Sequence, residues 1–394
     1  MQKTEQVNLT AAFDQWQNRP ADERFGTLDE LYQHTTNVRA GASEGYCSLN
    51  KLKVEYDNEA KEMQVSGPNG NAAYLNNWSF GQLASRVKAP AAYLRTLPHE
   101  LVEENLNHGI ANAAPELDSN ILIHSNGRAN ALAITSGRYA RIWNMDIVER
   151  LLRLKDMGWV VPPARPAFAD QPGTREATEE DCLRNRSMGL SIHPGDLIAP
   201  SGLYASDRDM FVFMVNEHDP IDDGSEGGLS RGFFVKNSEV GAAAFTIEMF
   251  FLRVVCGNHI VWDASGMTKL SIRHVGSANE KAFSNIQRRL ERYLVESKSE
   301  TEGKIVTAKK YTIGAEKDDV IDAVFGFGSI KNLISKKDLM LAYDKTEEFE
   351  YLDGEPNTAW GLAQGVTRIS QDKLYMEERN KLDRAAGKIL QMAF

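Results

Sequence analysis

The chain has 394 residues, which at roughly 150 residues per domain is enough for two to three domains. Its hydrophobic (42%) and charged (25%) fractions are those of an ordinary globular protein and exclude a collagen, a coiled-coil rod or a disordered chain. A formal net charge of −10 excludes a generic polyanion binder, so any nucleic-acid site has to be a local basic patch.

In chain order, residues 1 to about 45 are polar and read as a mobile arm. Leu52, Val54 and Tyr56 alternate, as do Met63 and Val65 beyond Asp57-Asn58, which predicts a hairpin. From Phe80 to Gly109 the apolar period becomes helical, with Pro90 and Pro98 cutting it into short helices. Strands follow at residues 121–123 and 131–134 around a Ser125-Asn126-Gly127 turn, with a further short strand at 139–143. Asn144 is the expected N-cap of a helix whose buried stripe is Ile147, Val148, Leu151 and Leu152, and Gly158 is its expected end.

Residues 162–180 hold four prolines and mark a boundary within an α+β core of residues 46–300. Strands are then predicted at 210–215, 232–235, 243–255, 260–262 and 270–273, with an acidic, glycine-rich loop at 218–230. The run 240–256 is the most apolar, but Glu248 and Arg253 interrupt it, so it reads as a buried strand and no membrane partner is expected. Ser277 and Glu280 have capping-box spacing before a helix striped by Phe283, Ile286, Leu290, Tyr293 and Leu294. Residues 301–394 read as a mostly helical C-terminal region. The overall expectation is an α+β fold, an antiparallel sheet backed by helices.

The strongest chemical pattern is Arg138-Tyr139-Ala140-Arg141-Ile142-Trp143. On a strand, Tyr139, Arg141 and Trp143 share a face, and aromatic–guanidinium–aromatic is a surface for unpaired bases and phosphate. Arg128 is nearby. The competing reading packs Tyr139 and Trp143 into the core while Arg141 reaches to solvent. Arg273, Lys281, Arg288, Arg289 and Arg292 form a second basic surface, for which a solvated helix face is the simpler explanation.

Asp219, Asp222 and Asp223 have no calcium-loop spacing, and Cys256 with His259 lacks a second ligand pair. No metal or cofactor is expected. Gly41-Ala42-Ser43-Glu44-Gly45 matches a nucleophile elbow in letters but lacks the strand and helix that motif needs. The three cysteines, Cys47, Cys182 and Cys256, are too sparse for a disulfide framework and suit a reducing cytoplasm.

Asn237-Ser238-Glu239-Val240-Gly241, followed by a strand that ends in Cys256-Gly257-Asn258, resembles the phage/plasmid-like protein family, the domain of unknown function 932 family. Residues 94–106, Ser136 to Leu151 and Thr358-Ala359-Trp360-Gly361-Leu362 extend the similarity over about 50–370; His259 stands where that pattern has glycine. The resemblance implies a mobile element in a host cytoplasm and no established activity. Asn237–Gly241 itself reads as a turn with Glu239 exposed.

These observations lead to an expected single-stranded DNA-binding or annealing protein of recombination or replication. Arg138, Arg141, Arg273, Arg288, Arg289 and Arg292 would neutralise phosphate, and Tyr139 and Trp143 would stack bases. Leu382, Ala386, Ile389 and Leu390 would mediate self-association. Two alternatives are a protein-binding counter-defence factor with a host or phage partner, and a metal-dependent nuclease using Asp219, Asp222, Asp223 and Glu239.

Overall fold

A computed structural model describes residues 20–161, 163–164, 174–179, 193–200, 203–225, 228–253, 259–260, 269–295, 298–348, 354–373 and 376–394. The class is α+β, with antiparallel pairing dominant and a helical C-terminal portion.

Helix α1 (Leu28–Gly41) opens the first unit, and strand β1 (Ala42–Ser48) follows it directly. The expected arm is therefore corrected over residues 20–45, while residues 1–19 lie outside the described residues. A capping box starts α1: the Thr27 hydroxyl accepts the Glu30 N–H, and the Glu30 carboxylate accepts the Thr27 N–H.

Strands β2 (Lys53–Asp57), β3 (Glu62–Ser66), β4 (Ala72–Leu75), β5 (Asp118–Asn126) and β6 (Arg128–Ser136) complete a six-stranded sheet. Its order is β1-β5-β6-β4-β3-β2, and only the β4–β6 pair is parallel. Between β4 and β5 run α2 (Asn77–Arg86), α3 (Ala91–Leu94) and α4 (His99–Ala111). Pro90 and Pro98 stand at the N-caps of α3 and α4, where a missing N–H costs least. These helices close one sheet face by packing Leu83, Leu94 and Leu106 with Val54, Val65 and Ile121.

The second unit begins with α5 (Asn144–Leu152) and β7 (Trp159–Val160). A small sheet of β8 (Pro163–Ala164), β9 (Arg175–Glu176) and β10 (Leu197–Pro200) follows. The main sheet runs β11 (Leu203–Ala205), β12 (Met210–Ile221), β13 (Leu229–Asn237), β14 (Phe245–Arg253) and β15 (His259–Ile260), all antiparallel. Strand β16 (Lys269–Ile272) also pairs with β14, and β7 with β12.

Helices α6 (Ala278–Val295), α7 (Lys298–Lys310), α8 (Lys317–Gly326), α9 (Lys336–Glu348), α10 (Ala359–Gln371) and α11 (Met376–Leu390) share one core with that sheet. Leu382, Ala386, Ile389 and Leu390 are fully buried in it, so the expected self-association stripe is corrected: it is spent on intramolecular packing. Glu248 on β14 and Arg384 on α11 reinforce this with a bidentate pair at 2.9 and 2.8 Å. No described helix is long and apolar enough to cross a membrane.

Candidate nucleic-acid interface

The two units meet along the segment 137–144 and the loop 237–243. The predicted strand at 139–143 is not formed; only Tyr139 makes a bridge, to Val275. Arg141 is the centre of this seam. Its side chain is 1% exposed and pairs with Glu44 at 3.1 Å. It also donates to Asn120 Oδ1 at 3.3 Å and to the Glu239 carbonyl. Its guanidinium lies 5.2 Å from the Tyr139 ring centroid and 5.6 Å from that of Trp143. The aromatic–guanidinium–aromatic pattern is real, but it is satisfied inside the protein. Arg141 and the 9%-exposed Trp143 are thereby corrected as ligand-binding residues, because a buried paired charge has nothing left to offer phosphate.

The loop 237–241 is the other half of the seam. Asn237 Nδ2 donates to the Ile142 carbonyl at 2.9 Å and to Asn144 Oδ1 at 2.8 Å. The Ser238 hydroxyl donates to the Arg208 carbonyl and accepts from the Val240 and Ala242 amides. The Val240 carbonyl accepts from Trp78 Nε1 and Gln82 Nε2. Gly241 has φ +80°, the left-handed region that favours glycine.

Glu239 is buried, not exposed at the turn as expected. Its carboxylate accepts the Asn144 amide at 2.6 Å, at the first residue of α5. Asn144 is therefore inside the helix, Trp143 is its N-cap, and the carboxylate capping that amide arrives from a distant loop. Burial pushes the Glu239 carboxyl up to about 7, against the lowering effects of the Asn144 amide, Arg141 and Arg39. Nearby, the His274 ring stacks on Tyr139 at 4.9 Å, and burial lowers its pKa to about 4.

Beside the seam lies an open cleft of about 640 Å3. Arg86, Arg95 and Arg208 line it together with Trp78, Gln82 and Tyr139, and among the described residues no carboxylate does. Trp78, Gln82 and Arg86 recur every four residues, so one face of α2 supplies an aromatic, an amide and a cation in a row. Arg208 is exposed, with its guanidinium 5.4 Å from the Trp78 ring centroid. Arg86 donates to the Asp118 carbonyl at 2.6 Å, and Arg95 donates to the Asn77 carbonyl at 2.9 Å. Cation and aromatic faces combined in one concave site suit a ligand with phosphates and planar rings.

Among the residues singled out from the sequence, Tyr139 and Gly241 line this cleft. Arg138, Arg273, Lys281, Arg288 and Arg292 are exposed but do not line it, and Arg289 is half-buried. Arg128 pairs with Glu62 at 3.0 Å and covers the Tyr74 ring at 4.6 Å. Cys256 and Asn258 lie outside the described residues. In the acidic loop, Asp222 and Asp223 accept amides of Gly224 and Ser225, a local turn arrangement. Among the described residues no group of three His, Cys, Asp or Glu side chains is placed to hold a metal ion.

The family model described as domain of unknown function (DUF932) matches residues 198–385. That stretch contains the main sheet, the Asn237–Gly241 loop, Arg208 and most of the C-terminal helices. It is shorter than the expected 50–370, and the six-stranded unit lies before it. No curated protein and no solved structure matches the chain.

Proposed function

Since the chain belongs to the domain of unknown function 932 family through residues 198–385, and that description names no activity, we propose a function from the cleft itself: binding of single-stranded nucleic acid. One observation carries the reading. In a protein of net charge −10, a concave surface gathers Arg86, Arg95 and Arg208 with Trp78 and Tyr139 and, among the described residues, no acid lines it. Arginines take the phosphates, while ring faces take unpaired bases without regard to sequence. In the mobile-element setting implied by the phage/plasmid-like resemblance, such binding serves strand handling or annealing in recombination or replication inside the host cytoplasm.

The test is fluorescence anisotropy with labelled single-stranded and duplex oligonucleotides. Single strands bind more tightly, and Arg208→Ala weakens them about fivefold at unchanged thermal stability, the scale of one phosphate contact. Equal affinity in the variant removes the cleft from consideration. Absence of binding at low salt removes the function.

A further inference from the structure

A second concavity, of about 410 Å3, adjoins the cleft. The two share Asn77 and Arg95, so they are neighbours across the first turn of α2. The character of the surface changes sharply at that ridge. On the cleft side it is cationic and amide-bearing; beyond Arg95 the lining is Phe80, Met63, Leu75, Leu94 and Leu97. Arg95 faces both, since it donates to the Asn77 carbonyl while its guanidinium sits 5.1 Å from the Phe80 ring centroid. The volume falls in the range of small-molecule sites, roughly 300–1,000 Å3.

The rim is polar. Asn77, His99 and Glu62 stand on it; His99 is held by stacking on Tyr56 at 3.9 Å, and the Glu62 carboxylate is held by Arg128 at 3.0 Å. Asn76 already accepts the Ser79 amide as the N-cap of α2 and Glu62 is held by Arg128, so the edge of the occupant meets Asn77 and His99, the latter also 3.3 Å from the exposed Glu100. An apolar floor with an aromatic ring, a polar edge and a cationic neighbour is the environment of a flat heterocycle attached to a phosphate.

We infer that this pocket receives one nucleobase, unstacked from a strand whose phosphates lie in the arginine cleft. The inference rests on the reading above for the base belonging to a strand. Continuity selects the occupant: a strand that runs from the cleft into the pocket passes the Arg95 guanidinium, and its anionic linker does so favourably. An unstacked base loses its neighbours in the strand and regains them against Phe80, worth about tenfold in affinity per stacked base.

The full chain is irradiated with a single-stranded oligonucleotide carrying 5-iodouracil, and the cross-linked residue is mapped by mass spectrometry. Cross-links at Phe80 or His99 are expected. A strand that binds but cross-links only at Trp78 or Tyr139 overturns the base pocket and leaves the cleft intact. In parallel, Leu97→Trp, which fills the pocket, weakens a base-bearing strand about tenfold and leaves an abasic strand unaffected; equal affinity for the base-bearing strand in the folded variant overturns the inference.

Should that variant not fold, the cross-link map of the unmodified protein decides by itself, because only a base seated in the pocket reaches Phe80 or His99. If no strand binds at all, the free 5-iodo-deoxyuridine monophosphate separates the two ideas. Cross-linking at Phe80 or His99 keeps the pocket as a nucleotide site and retires the strand. None retires both.

Discussion

Arg141 is the residue whose role changes most between pattern and structure. As a surface arginine it would be replaceable; as the buried partner of Glu44 it is not. Arg141→Ala should destabilise the protein by about 3–5 kcal/mol, because Glu44, Asn120 Oδ1 and the Glu239 carbonyl all lose a donor. Urea denaturation checks this, and a native-like midpoint would return Arg141 to the surface role. Glu239 and His274 make a second prediction at this scale. Glu239 is raised to about 7 from 4.5, so its contribution is whole below pH 4.5 and disappears as pH rises through 7. His274 is lowered to about 4 from 6.5, so its contribution is whole above pH 6.5 and disappears as pH falls through 4. The two slopes oppose each other between pH 4.5 and 6.5. Glu239→Gln should therefore leave stability rising with pH across that window, by on the order of 3 kcal/mol. A flat profile in the variant would mean that His274 is not kept neutral.

At the scale of elements, β13 and β14 show how closely the main sheet is packed. Gly232 faces Phe250 in register, and a Cβ there would sit 2.2 Å from that ring, which is itself stacked on Phe213 at 5.2 Å. Gly232→Ala should lower the unfolding midpoint by the equivalent of about 1–3 kcal/mol, as overpacking does. A midpoint equal to that of the unmodified protein would show that Phe250 swings aside freely. Elements of this kind were largely legible. The hairpin at β2–β3, the proline-cut helices α2 to α4, and β12 to β14 follow from local period and breaker residues, which act over a few positions. Helix α1 was missed and read as part of an arm: its apolar stripe is sparse, and the Thr27/Glu30 capping box was the signal that could have found it. Asn144 was misplaced by one residue because its amide is capped by Glu239, 95 positions away.

For the whole molecule, the decisive feature is the seam between a six-stranded unit and the DUF932 unit. Arg86 and Arg95 come from the first and Arg208 from the second, so only the assembled chain has the cleft. Its three arginines predict a shallow salt dependence for a single strand, a slope of about −2 in log affinity against log salt. Arg208→Ala should reduce that slope by about 0.7, the share of one released counterion. A much steeper slope would shift the interface to the exposed Lys281, Arg288 and Arg292 face of α6. The α+β class, most strand and helix positions and the importance of Asn237–Gly241 were readable along the chain, because these depend on periodicity and turn chemistry within short windows. Which charges face water depends on how the units pack, and local pattern does not contain it. Arg141 sits between two aromatic side chains in either reading, but burial against Glu44 turns it from a ligand contact into a clasp. Arg86, Arg95 and Arg208, unremarkable along the chain, become a site because folding brings the ends of α2 and α3 against a loop of the second unit on one concave surface.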